Sequence, residues 1–390
     1  MNFTNPYNDD KKKENGVYYT PEDISLVMSS RAKLFDDGKG IWLDPCCGLG
    51  VLAITLASIQ DNPIDFIQNR LVINEKDKNQ LNIALSNFQE KFGVVPRHFN
   101  EDFLDYDFDI DYIIMNPPYF KYKESDIYAY FIEKACKTTK GFISINPTSF
   151  TNGVKFQKTR RLLLEYPSLT IYHFDNIPGQ IFEDAKVRVS ILIAHQNTEN
   201  RKTTGQIRWK RKLRQSMIEN LDSKLSDAVF NENIFYKTFP NTVQYIHSGE
   251  KLQDYLVSNS EFPLFVSNSP RYFISASSQM MDRTGQIKIY LKDSDSFKKA
   301  LIILNSSYLY WWWKICDSSL SLTKKTLVSL PWVDFDYDQE IINRILQSEQ
   351  TNKVYKKNAG KLQENIKHPK ELVSSLNSLF LHEEFIKLHD

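Results

Sequence analysis

Five short apolar runs set the rhythm of the first half of the chain: Ile41–Asp44, Leu71–Asn74, Tyr112–Met115, Phe142–Ile145 and Ile171–Phe174. Each has the length of a buried strand and is too short for a buried helix. Longer amphipathic stretches such as Leu49–Ile59 and Asp77–Phe92 lie between them. Alternation at this spacing predicts an α/β fold, a mostly parallel sheet with helices on both faces. Val187–Ala194 follows closely as one more apolar run, expected to be a late antiparallel edge element.

Past residue 200 the alternation stops, and Pro, Ser and Asn become frequent, as in NSPRYFISASS and SLPWVDFD. With 390 residues the chain also exceeds what one core usually holds. The reading divides it into 1–200, an α/β domain; 201–220, a basic linker or hinge; and 221–390, a mixed α+β domain with a helical C-terminal part from Arg344. Trp311-Trp312-Trp313 sits in an apolar helical context and is expected in that domain's core. No apolar run approaches roughly 18 residues, the length a membrane helix needs. Met1–Asn15 is polar, without the apolar stretch of a secretory signal. The four cysteines form no CxxC pair and no zinc-type spacing, so a reduced cytoplasmic protein without metal is expected.

Polar residues close the apolar runs, and these carry the chemistry. Asn116-Pro117-Pro118-Tyr119 follows DYIIM and leaves the carboxyl end of a predicted strand, where open α/β sheets bind ligands. A planar amine is a weak nucleophile because its lone pair is delocalised. Two acceptors that take both of its hydrogens favour a tetrahedral nitrogen. The Asn116 side-chain oxygen supplies one acceptor and the Pro117 carbonyl the other, while the prolines stiffen the turn. Tyr119 offers a flat face for a planar base. Asp44-Pro45-Cys46-Cys47-Gly48-Leu49-Gly50 is a glycine turn between strand and helix, unlike a phosphate-binding loop and suited to a small nucleoside cofactor. Asp44 is placed to hydrogen-bond an amino group there, Glu75 to accept from ribose hydroxyls, and Asp102 from an adenine amino group with Phe103 packed on the ring.

In this order the motifs resemble those of the gamma-class adenine-N6 DNA methyltransferases of restriction–modification systems, the TaqI-like group. The resemblance covers about residues 15–195. It implies a Rossmann-like S-adenosylmethionine-dependent methyltransferase sheet followed by a C-terminal target-recognition domain. GVYYTP (Gly16–Pro21) is similar to the family's N-terminal motif, which puts Thr20 at the cofactor's methionine end. The glycine turn, with Asp44, Pro45, Cys46, Gly48 and Gly50, Glu75, and Asp102-Phe103 match the cofactor motifs, and NPPY the catalytic one. Ile181-Phe182-Glu183 followed by VRVSILI resembles a later motif whose aromatic residue faces the target base, a role carried to Phe182. The resemblance further implies S-adenosylmethionine as cofactor and double-stranded DNA as partner, alongside a separate restriction endonuclease. A monomer is expected. The first motif begins near the start, so no N-terminal nuclease domain is expected.

Extruding a base costs energy that phosphate contacts must offset. Arg208, Lys210, Arg211 and Lys212 lie in a short acid-free basic stretch and are the candidate phosphate ligands, with Arg271 as a further candidate. Rival readings of NPPY are methylation of protein glutamine, of RNA, or of cytosine-N4 in DNA, where the acceptor logic is the same.

Overall fold

The computed structural model describes residues 18–182, 186–239, 242–246, 249–269, 273–316, 321–358 and 360–382. The chain forms two compact units, Met1–Pro240 and Asn241–Asp390. Of the sequence expectations, Arg271, the first residues of the N-terminal motif and Glu183 lie outside the described residues.

The first unit is built on a nine-stranded sheet. Its strands in chain order are β1 (Trp42–Asp44), β2 (Leu71–Asn74), β3 (Arg97–Phe99), β4 (Tyr112–Met115), β5 (Gly141–Pro147), β6 (Ser168–Phe174), β7 (Val189–His195), β8 (Asn200–Ile207) and β9 (Leu225–Asp227). In space they run β9-β8-β6-β7-β5-β4-β1-β2-β3. The five predicted strands are all present. The late apolar run is antiparallel as expected, but β7 lies inside the sheet, paired along its length with both β5 and β6. Its seven residues are all buried, which a position between two strands requires.

Alternating side chains feed two cores, one on each face. Trp42 and Ile114 enter one with helices α1 (Glu22–Ser30), α2 (Val51–Ser58) and α4 (Lys78–Phe92); α3 (Pro63–Asn69) adds Phe66 and Ile67. Leu43, Ile113 and Met115 enter the other with α5 (Ile127–Thr138) and α6 (Gln157–Leu163). The sequence sets local boundaries: the Asp77 carboxylate caps α4 by accepting from the Asn79 and Gln80 amides, and Gly93 ends it at φ 73°.

Residues 201–220 are not a linker. Most of 201–207 is strand β8, parallel to β6. The rest leads into α7 (Arg214–Glu219), and the unit closes only near residue 240. β8 escaped detection because NRKTTGQI is polar at its start and has no apolar alternation. The second unit is mixed α+β, with a three-stranded antiparallel sheet centred on Pro263–Ser267. Its helices are α8 (Ser294–Asn305), α9 (Ser307–Cys316), α10 (Lys324–Val328), α11 (Gln339–Thr351) and α12 (Lys370–Asn377). Trp311, Trp312 and Trp313 of α9 are buried, as core residues. The segment after Arg344 is only partly helical, because Lys353–Asn358 and Lys361–Ile366 form an antiparallel hairpin between α11 and α12.

Candidate active site

The strand order reverses between β1 and β4, which pair in parallel while their neighbours extend in opposite directions. Loops leaving the carboxyl ends of two such strands diverge and open a crevice. Here Asp44 ends β1 and Asn116 follows β4, and a cavity of about 490 Å³ opens between them. Thr20, Asp44, Pro45, Cys46, Gly48, Glu75, Asp102, Phe103 and Asn116 all line it.

The glycine turn needs its glycines for different reasons. Gly48 (φ 54°) and Gly50 (φ 85°) adopt left-handed backbone. A side chain on Gly48 would meet the Tyr19 ring at 3.1 Å, and one on Gly50 would press on Ala84 of α4. Gly50 therefore serves packing and lies outside the cavity wall. The Gly48 amide donates to Glu75 Oε2 at 2.9 Å, and Asp77 N–H to Glu75 Oε1 at 2.9 Å. Those two amides fix the Glu75 carboxylate with its remaining lone pairs free to accept hydroxyls.

Burial and the neighbouring Glu75 push Asp44 up to about 8, against the pull of the Cys46 and Ala53 amides. Its Oδ2 has no hydrogen-bond partner among the described residues. A buried carboxylate with an unmet acceptor is costly unless a donor or cation joins it. An ammonium group meets both needs. At Asp102, burial pushes upward, but the Lys76 hydrogen bond and the Leu104 amide outweigh it and hold the carboxyl below its ordinary range. Lys76 Nζ sits 2.7 Å from Asp102 Oδ2 and is itself mostly exposed. Phe103 is buried against Phe131, ring centroids 4.9 Å apart, and forms the apolar floor. Cys46 and Cys47 have thiols raised far above their usual range, first by burial and then by Asp44 and Glu75, so neither is a thiolate.

The Asn116 amide donates to Tyr18 O at 2.6 Å and to Thr20 Oγ1 at 3.1 Å. Both amide hydrogens are thereby used, and Oδ1 is left as an acceptor. It receives the Tyr119 hydroxyl at 2.8 Å, which also reaches Ile145 O at 3.0 Å. Burial raises the Tyr119 phenol well above its usual range, so it stays a donor. Thr20 is thus an acceptor for Asn116 as well as part of the cavity wall. A second cavity of about 250 Å³ adjoins, lined by Tyr18, Tyr119, Tyr128 and Pro147 among others, and Tyr18 and Phe120 stand in the walls of both. Pro117 is buried behind the loop and lines neither. Phe182 is buried too and packs on Tyr18 and Tyr119, with centroids 5.9 and 6.1 Å away.

Several residues of the site went unread in the sequence. Asn74, buried at the end of β2, donates to Pro45 O (2.9 Å) and Glu101 O (3.0 Å) and accepts from Glu101 N–H (3.0 Å), tying the glycine turn to the Asp102 loop. Its signal was a polar residue closing the apolar run LVIN. The basic stretch divides by direction. Arg208 pairs with buried Asp175, and Trp209 packs against Gly179, whose missing side chain makes room for the indole. Arg214 donates to Gln180 O (2.9 Å) and Ile181 O (3.1 Å) while pairing with Asp23 of α1. Through these contacts the three residues clamp the segment that ends in Phe182. Lys210, Arg211 and Lys212 point outward and are exposed.

A doubly wound sheet with a glycine turn, two acids and an oriented amide at its switch point is a Rossmann-like fold. Within it, residues 2–130 match the N-6 DNA methylase family, a span that includes the glycine turn, Glu75, Asp102 and Asn116–Tyr119. No curated protein sequence matches the chain. Among solved structures it is similar to a DrdV–DNA complex, with 17% identity and a TM-score of 0.49 over 64% of this chain and 33% of that one. It is also similar to a type I restriction–modification methyltransferase subunit from Streptococcus thermophilus (18%, TM-score 0.44, 59% and 57% covered). A third is a putative RNA methyltransferase from Pyrococcus horikoshii (18%, TM-score 0.36, 50% and 93% covered). The chain thus spans 33% and 57% of the first two, less than two thirds of either.

Proposed function

We propose that this protein is a site-specific DNA methyltransferase that methylates the N6 amino group of an extruded adenine, as the modification component of a restriction–modification system. The observation that carries the reading is the Asn116 amide. Its two hydrogens are held by Tyr18 O and Thr20 Oγ1 and its oxygen receives the Tyr119 hydroxyl, so the amide is fixed with the second lone pair of Oδ1 left to accept from a substrate N–H. An adenine amino group brought to the loop from the adjoining cavity would meet Asn116 Oδ1 in the wall of the larger cavity as one acceptor, and the Pro117 carbonyl, which lines neither cavity, would have to turn toward the base to serve as the other. The resulting localisation of the lone pair makes the nitrogen a competent nucleophile, and both acceptors stabilise the positive charge that develops on it. Tyr18 and Tyr119, which line the adjoining cavity, supply the aromatic surface that holds the base out of the stack, and buried Phe182 supports both rings.

S-adenosylmethionine fits the larger cavity and, when bound, supplies an electrophilic methyl group on a sulfonium. Asp44 would hold its ammonium, Glu75 its ribose hydroxyls, and Asp102 with Phe103 its adenine. The partly exposed Lys76 must yield Asp102 for that last contact. The second unit, 221–390 in the sequence reading and Asn241–Asp390 by compactness, is assigned to target recognition, and a separate endonuclease to cleavage.

The test is incubation of the full chain with isotopically labelled S-adenosylmethionine and mixed-sequence duplex DNA, followed by nucleoside mass spectrometry. Label in N6-methyladenine is expected; label in N4-methylcytosine, in RNA or in protein glutamine instead would overturn the reading. Glu75→Ala should weaken cofactor binding, since each hydrogen bond to a charged group is worth about 1.5–3 kcal/mol.

A further inference from the structure

The hairpin of Lys353–Asn358 and Lys361–Ile366 in the second unit has two unlike ends. Its base is rooted. Asp282 N–H donates to Glu364 Oε2 at 2.9 Å, Thr284 N–H to Gln363 Oε1 at 3.0 Å, and Arg283 to Asn365 Oδ1 at 2.5 Å. Lys353 pairs with Glu364 at 2.9 Å, and Ile366 is buried. The outer end is bare. Tyr355 is 52% and Leu362 61% exposed, and Lys356, Lys357 and Lys361 are exposed with them. Gly360, at φ 83°, lies in the turn. The register pairs Lys357 with Leu362 and Tyr355 with Glu364, so Tyr355, Lys357 and Leu362 share one face.

A ribbon anchored at its root, with two large apolar side chains left in water among cations, is shaped for a partner. The tip sequence YKKNAGKL holds three lysines and no acid, which makes the complement a polyanion with apolar surface between its charges. Duplex DNA has that character, and its major groove, about 12 Å wide, admits a two-stranded β-ribbon. Strands of this length span roughly 20 Å, enough to cross the groove. We propose that this hairpin is a DNA-reading arm: Lys356, Lys357 and Lys361 meet phosphates, and Tyr355 and Leu362 enter the major groove. The inference rests on the reading of the chain as a DNA methyltransferase and names the element of the second unit that contacts the duplex.

The experiment uses the full chain and two sets of exposed substitutions, Lys356→Ala/Lys357→Ala/Lys361→Ala and Tyr355→Ala/Leu362→Ala. The methylated motif is first identified by sequencing modified bases in a host that expresses the wild type. Duplex affinity is then measured by electrophoretic shift across a salt series, with site discrimination measured on duplexes carrying single base-pair changes. The lysine variant should bind roughly tenfold more weakly near physiological salt, with a slope shallower by about one for each phosphate no longer neutralised. The apolar variant should keep the slope and lose roughly tenfold in discrimination at one or more positions. Cofactor affinity and melting temperature, measured in parallel, should match the wild type in both. Wild-type affinity, slope and discrimination in both variants would overturn the arm. An apolar variant with unaltered discrimination would overturn its entry into the groove. Binding of duplex by electrophoretic shift does not require turnover, so a wild type that binds DNA but methylates none of it refutes the methyltransferase reading and leaves the arm to be judged by binding.

Discussion

Asn116 and Tyr119 are joined by a hydrogen bond, yet mutation can separate their roles. Asn116→Ala removes an acceptor that matters most as charge develops, so turnover should fall on the order of 100–1000-fold, far more than cofactor affinity. Tyr119→Ala removes aromatic surface and Phe182→Ala the ring that supports Tyr18 and Tyr119, so the rise in 2-aminopurine fluorescence that reports an extruded base should shrink. Tyr119→Phe keeps the ring and loses only the hydroxyl that reaches Asn116 Oδ1 at 2.8 Å. It should flip the base as the wild type does and still turn over more slowly; unchanged rates would show that the hydroxyl does not orient the amide. Asp44 gives a pH test. Its folded value of about 8 lies above its ordinary value of 3.8. The folded protein therefore holds this proton more tightly, and the stability that follows is lost as pH rises toward 8. Without cofactor, wild-type melting temperature should fall from this group between about pH 4 and 8, and Asp44→Asn should flatten that decline. Parallel melting curves for the two proteins across this range would refute the assignment.

Elements were legible wherever burial imposed a period. The five apolar runs became strands because burial on both faces leaves few polar positions in them, and the polar residues at the ends of three of them, Asp44, Glu75 and Asn116, became part of the cavity wall. What escaped was held by contacts distant in sequence. Asn74 bonds to loops 27 and 29 residues away, and Arg214 reaches Asp23 across 191. The polar close of LVIN marks Asn74 but not its partners, and nothing local marks the pairing of Arg214. The hairpin from Lys353 was read as helix because its lysines, Gln363 and Glu364 suit a helix as well as a strand. The clamp on the Phe182 segment yields a prediction at this scale. Arg214→Ala removes donors to Gln180 O and Ile181 O together with the pairing to Asp23. Amide hydrogen exchange should quicken in residues 175–182 and the base-flipping signal should weaken, with cofactor affinity preserved. Because Arg214 and Asp23 are both partly exposed, global melting should shift little. Unchanged exchange in that segment would reduce Arg214 to a surface ion pair.

At the scale of the molecule, a net charge of +1 gives DNA no general attraction, so any electrostatic grip must be local. The sheet says where one such grip lies. β8 is parallel to β6, and β6 and β5 are both antiparallel to β7, so β8 ends at the same carboxyl edge as β4 and Asn116. Lys210, Arg211 and Lys212 leave that edge outward, while Trp209 and Arg214 turn inward and Arg208, though exposed, is held by buried Asp175. The sequence offered Arg208, Lys210, Arg211 and Lys212 alike as phosphate ligands, because charge is visible in a sequence and direction is not. Direction now separates their effects. Replacing Lys210, Arg211 and Lys212 with Ala should leave folding and site preference intact, weaken duplex binding evenly across sequences, and flatten the salt dependence by about one unit of slope for each phosphate that gives up its cation. Replacing Arg208 should act first on stability, since it leaves Asp175 buried with one of its two arginine partners gone. Salt titrations of duplex binding read the first effect and thermal melting the second. An unaltered slope in the triple variant would return those three residues to an ordinary solvated face, and an unaltered melting temperature for Arg208→Ala would mean that Arg188 alone suffices to hold Asp175.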